Sequence, residues 1–128
     1  MEEKNNPLSP HLQIYKWQIS SLLSITHRIV GVINILAITM ICFWSISLLL
    51  GAESYQIINN FFNSFLGKFV AIGLCWTFSF HILNELRHLL WDLGYGFDLK
   101  ISKITGVLAL VGSFVLTILL YLIGKNIF

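Results

Sequence analysis

Three stretches without a charged residue set the pattern of the chain: Ile29–Leu50, Phe69–Asn84 and Ile104–Gly124. The first is 22 residues long and the third 21. At 1.5 Å per residue each covers roughly 30 Å as a helix, the thickness of a bilayer core. The pattern predicts three membrane-spanning helices, at about 21–50, 65–91 and 104–124. Pro7 and Pro10 disfavour helix just before them, so residues 1–20 read as an extended lead-in at the membrane face. Trp17 and Tyr15 in it suit the headgroup zone. Ser20 and Ser21 are the predicted N-caps of the first span, and Gly51-Ala52-Glu53-Ser54 ends it. Residues 53–64 read as a short connection with Asn59, Asn60 and Asn63 at the interface. Gly94 or Gly96 is the predicted stop of the second span, and Asp98, Lys100 and Lys103 make a charged connection to the third.

Composition agrees. Of 128 residues 56% are hydrophobic and only 11% charged, and mean hydropathy is +0.79. A soluble domain carries far more charge, so the chain reads as one all-α membrane domain, 1–128. A net charge of +2 is too small to suggest nucleic acid. Cys42 and Cys75 lie inside apolar runs with no metal-site spacing and read as small buried hydrophobes. The acidic start, Met1-Glu2-Glu3-Lys4, is neither a signal nor a transit peptide, which suits synthesis in a bacterium or an organelle. Lys4, Lys16, Arg28, Arg87, Lys100 and Lys103 fall on one side of a three-span topology, Lys68 and Lys125 on the other. The positive-inside rule puts the N-terminus and the loop between spans two and three in the cytoplasm or matrix. Ser24, His27, Arg28, Arg87, His88, Trp91 and Asp92 then lie near one inner interface.

The second span carries a polar stripe. His81 and His88, almost two turns apart, share one helix face, with Asn84 and Glu85 between them. Polar groups within a span need partners out of lipid. His81 lies roughly 16 Å deeper than Asp92, and its imidazole is satisfied either by a haem iron or by a hydrogen bond to a neighbouring helix. Being about 10.5 Å apart along the axis, His81 and His88 cannot clamp one iron between them. Within the chain His27 is the remaining candidate for a second ligand, but the spacing puts it at the interface rather than at depth. His11 lies outside the spans. The second ligand is therefore expected from a partner subunit. Ser24 and Arg28, four apart, face one way. They suit a quinone carbonyl that gains negative charge; snorkelling of Arg28 to lipid phosphates, with Ser24 bonded to backbone, explains the spacing equally well.

Three segments carry a family resemblance: Ser9-Pro10-His11-Leu12-Gln13-Ile14-Tyr15; Ser24-Ile25-Thr26-His27-Arg28 followed by Gly31; and His81-Ile82-Leu83-Asn84-Glu85-Leu86-Arg87-His88-Leu89-Leu90-Trp91-Asp92-Leu93-Gly94. In order, spacing and topology the chain resembles the cytochrome b556 subunits of succinate dehydrogenase, the larger membrane anchor of respiratory complex II. The resemblance implies half of a haem-binding helical bundle, completed by a second hydrophobic anchor subunit. It implies one haem b shared between the anchors, iron–sulfur and flavoprotein subunits docked on the inner face, and ubiquinone as electron acceptor. His81 would be an axial ligand of the haem iron. His27, Arg28 and His88 would lie by the propionates, and Ser24, Arg28, Ile25 and Trp17 would form the quinone site. The membrane would be the bacterial or mitochondrial inner one. Two positions depart: the family commonly has glycine where Glu85 stands, and often arginine where Asn6 stands. The alternative is a structural membrane anchor without haem. A small transporter subunit has no support, since no span is broken or carries a charged pair at mid-depth.

Overall fold

The structure, a computed structural model, describes residues 17–127, with side chains from Trp17 to Gly124. Most of the predicted lead-in lies outside the described residues, and so do the Ser9–Tyr15 motif, His11 and Asn6. Four helices make up the described chain: α1 (Ile19–Leu50), α2 (Ala52–Asn63), α3 (Phe65–Asp92) and α4 (Leu99–Ile127). Three of them, α1, α3 and α4, are long and apolar enough to cross a membrane. The protein is thus an all-helical, multi-pass membrane protein.

The boundaries follow from local chemistry, and several differ from expectation. The ladder of α1 begins at Gln18, whose carbonyl accepts the N–H groups of Ser21 and Leu22. No side chain caps it, so Ser20 and Ser21 lie inside the first turn rather than at the cap. Residues 53–64 are not a bare connection but the amphipathic helix α2. Gly51, at φ 105°, turns the chain from α1 straight into it. Ser64 makes the next corner: its hydroxyl donates to Phe61 O (2.6 Å) and accepts from Gly67 N (3.1 Å). A Cβ at Gly67 would collide with that same Phe61 carbonyl, so only glycine fits where α3 leaves the corner.

At its other end α3 stops as the glycines suggest. Gly94, at φ 86°, donates to Trp91 O, and Tyr95 donates to Leu90 O. This is the paired-bond C-terminal motif that a left-handed glycine permits. Asp98 then caps α4, its carboxylate accepting from Lys100 N at 2.8 Å. The third span therefore starts five residues earlier than its uncharged stretch suggests, and Lys100 and Lys103 belong to its first turns.

The packing suits lipid rather than water. Among described residues only Leu23, Val30, Phe80 and Ala109 are buried hydrophobics, whereas Asn34, Ser47, Thr77, Ser79, Asn84, Arg87, Ser113 and Thr117 are buried and polar. Lipid tails are as apolar as leucine, so helices gain nothing from burying leucine against each other. Small and hydrogen-bonding residues mediate contact instead. Ser79 and Ser113, both fully buried, return their protons to Cys75 O and Leu110 O on their own helices. Thr77 Oγ1 shares its one proton between Leu74 O of its own helix, at 2.8 Å, and Asn34 Oδ1, at 3.0 Å, and the second contact ties α3 to α1.

Arg87 ties α3 to α4. Only 6% exposed, it donates from Nε to Thr105 Oγ1 and from Nη2 to both Ser102 O and Ser102 Oγ, at 2.8–3.1 Å. Its guanidinium lies 4.1 Å from the centre of the Trp91 ring, while the Trp91 indole N–H donates to Gly96 O. Arg87 thus turns away from the α1 residues with which the sequence grouped it. Hydrogen bonds to a charged group are worth about 1.5–3 kcal/mol each. We expect Arg87→Ala to cost at least about 2 kcal/mol in denaturant unfolding of the micellar protein followed by far-UV circular dichroism. Arg87→Lys should recover only part of this, because an ammonium cannot reproduce the planar fork over Trp91.

Candidate functional site

Register decides what meets between α1 and α3. The two run antiparallel and are pinned by Asn34 and Thr77. Seven residues back along α1 is His27, and seven forward along α3 is Asn84. His27 is therefore level with Asn84, between His81 and His88, about 4.5 Å along the axis from the first and about 6 Å from the second. The contacts agree. The His27 ring stacks on His81, with centroids 4.4 Å apart and planes 9° apart, and lies 5.5 Å from the His88 ring. The expectation that His27 stays at the interface, remote from the depth of His81, is thus corrected. Spacing along one helix says nothing about which level of another helix it faces.

Glu85 completes the cluster. Its Oε1 is 3.1 Å from His27 Nε2 and 3.7 Å from His81 Nε2. The closer contact lies off the line of a hydrogen bond, which leaves His27 Nε2 buried without one, and His81 Nδ1 is separately buried with no hydrogen-bond partner. Glu85 does not pair with Arg87, which is committed to α4. Asn84, 1% exposed, donates to Phe80 O on its own helix and stays out of the cluster. Gly31 borders His81: a Cβ there would sit 3.6 Å from Cε1 of the imidazole. His88 packs edge-on to Trp91, with centroids 5.0 Å apart.

The stack bears on ligation. Two axial imidazoles of one haem lie on opposite faces of the macrocycle. His27 and His81 are face to face at 4.4 Å, which leaves no room for a macrocycle between them. His27 is not arranged as the second ligand. His81 is the ring of the pair that could still reach a group outside the chain, because its side chain is about one-third exposed at the surface.

The other predicted residues lie apart from the cluster. Ser24, Ile25 and Arg28 are exposed on α1, and Trp17, 63% exposed, precedes it. At 100° per residue Ser24 and Arg28 are within 40° of each other around the helix, and both are exposed. Arg28 has no carboxylate partner among the described residues. Asp92 is likewise exposed. Two contributors escaped the sequence reading, the Asn34–Thr77 pair and the contact of Glu85 with both histidines. The available signal was a lone asparagine and a lone threonine in apolar spans, which is too weak to pair them.

Comparison with known proteins gives a consistent picture. Residues 2–120 match the family described as succinate dehydrogenase/fumarate reductase transmembrane subunit. The chain is 42% identical over 118 residues to the succinate dehydrogenase cytochrome b556 subunit of Rickettsia felis, covering 90% of each chain. It is 32% identical over 115 residues to that of Paracoccus denitrificans, covering 90% of this chain and 88% of the relative. It is 37% identical over 127 residues to the succinate dehydrogenase cytochrome b560 subunit of Reclinomonas americana, covering 93% and 86%.

Proposed function

The chain belongs to the succinate dehydrogenase/fumarate reductase transmembrane subunit family, and from that membership we propose that it is the haem-binding anchor of a succinate:ubiquinone oxidoreductase. It has no complete active site of its own. It holds a flavoprotein and an iron–sulfur subunit at the membrane and, with a second hydrophobic anchor, forms the route from their clusters to quinone. The N-terminus and the α3–α4 turn face the cytoplasm or matrix of a bacterial or mitochondrial inner membrane.

The observation that carries this reading is the state of His81. It lies in the middle of an apolar span, at the chain's surface, with Nδ1 unpartnered and its neighbour His27 stacked where it cannot serve as the opposite ligand. An imidazole so placed suits a group shared across a subunit boundary. His81 would be one axial ligand, and the second anchor would supply the other. His27, His88 and Arg28 offer donors or positive charge to the propionates. Haem b, when bound with two histidines, supplies a one-electron carrier with no open position for oxygen.

Ser24 and Arg28 serve the quinone. The hydroxyl donates to a quinone carbonyl, orienting the ring. The guanidinium beside it stabilises the negative charge that the oxygen gains on reduction. Ile25 and Trp17 supply apolar walls. That Arg28 is exposed and has no carboxylate partner among the described residues supports this, since a guanidinium already paired would have less to offer a ligand.

Two results are expected of the purified complex. His81→Ala should lose the b-type absorption or convert it to a high-spin form, whereas His88→Ala should retain it; equal loss in both would contradict the assignment of His81. Arg28→Ala should lower succinate:quinone activity by about 10²-fold or more, the scale of a lost oxyanion donor, yet leave succinate oxidation by an artificial acceptor near its original rate. Equal loss of both activities would point to impaired assembly instead.

A further inference from the structure

We propose that His27, His81 and Glu85 form a binding site for a divalent transition-metal ion of the zinc class, open in the chain whenever His81 is not ligating haem. Each residue offers one ligand atom, and the three atoms lie within 4.8 Å of one another. Two imidazoles and one carboxylate are a donor set that zinc accepts, with a fourth position left for water. Bonds of 2.0–2.2 Å in a tetrahedral arrangement put neighbouring donor atoms about 3.3 Å apart. Glu85 Oε1 is already 3.1 Å from His27 Nε2 and 3.7 Å from His81 Nε2. Closing the set takes a small opening of the stacked rings and a rotation of Glu85, whose side chain is 57% exposed and free to turn.

Two further observations point to a cation. His27 Nε2 is buried and faces the Glu85 carboxylate at 3.1 Å without a well-directed hydrogen bond, so both ligand atoms are turned to one point with nothing between them. Glu85 has no cationic side chain beside it among the described residues: Arg87, two positions on, is spent on Ser102 and Thr105. A divalent ion would satisfy the nitrogen and neutralise the carboxylate together. The ligands come from two helices held in register by Asn34 and Thr77, and rigid elements hold a coordination geometry better than loops do. His88 is outside the set.

Because the site shares His81 with the proposed haem site, the two occupants exclude each other. The metal proposal itself does not depend on haem. The test uses the full-length chain, carrying a histidine-free affinity tag, purified in detergent micelles without haem and titrated with Co²⁺ as a coloured substitute for Zn²⁺. We expect one equivalent to bind with visible ligand-field bands and to be displaced by Zn²⁺. Affinity should fall roughly tenfold or more in His27→Ala and in Glu85→Gln and stay unchanged in His88→Ala, with helicity checked by circular dichroism. Glu85→Gln keeps the side-chain volume, so it remains informative if His27→Ala fails to fold. Absence of saturable one-to-one binding, or wild-type affinity in Glu85→Gln, would overturn the site. In the intact complex with its b-type spectrum present, Co²⁺ should find no such site; binding there with the spectrum unchanged would overturn the exclusion. A complex without haem whose chain still binds Co²⁺ would remove the haem reading and leave this one standing.

Discussion

The contact between α1 and α3 governs what this chain can do, and one hydrogen bond between two small polar side chains fixes its register. Thr77 donates to Asn34 across the interface. In a bilayer core such a bond has little competition from water, and no gain from burying leucine opposes or replaces it. Slipping α3 by one turn would leave the Asn34 carbonyl unpaired in apolar surroundings, while Thr77 would keep only its bond to Leu74 O. It would also separate His27 from His81 and Glu85, because every polar residue of the cluster is placed by counting along the helices from that bond.

A division of labour follows. The inner seams of the bundle are polar and largely satisfied from within: hydroxyls return to their own helices, Arg87 is absorbed by α4, and Asn84 bonds backward along α3. Among the described residues the buried groups left without a hydrogen bond are His81 Nδ1, His27 Nε2, Asn34 Nδ2 and Trp76 Nε1; the two histidines among them are those assigned to the haem. Polar groups stay unpaired at such depth only at a cost, which a ligand or partner subunit removes. The exposed apolar surface of α1, from Val32 through Phe43 to Leu50, is what a chain embedded in lipid or covered by a second anchor presents.

The sequence displayed the first and third spans clearly, because an uncharged run of more than twenty residues has few other uses, and Gly94 marked the end of α3 through its backbone freedom. The helix α2 was harder to see, since a twelve-residue segment holding Asn59, Asn60 and Asn63 reads as a turn-rich connection. The capping role of Asp98 was hidden by the lysines after it. His81 stood out on periodicity alone. The level of His27, the partners of Arg87 and the contacts of Glu85 were not legible, because each depends on the register or rotation of one helix against another, which no single-helix pattern encodes. Ser24 and Arg28 were legible as a pair, while their assignment to quinone came from family resemblance.

The central claim is that the imidazole of His81 serves an iron shared between two polypeptides. The reduced-minus-oxidised difference spectrum of the intact complex, with all of its co-purifying subunits present, tests this most directly. The account predicts a b-type haem band at one haem per copy of this chain. A complex with every subunit in place and no such band would contradict it and leave the chain a hydrophobic tether whose histidines stack on each other.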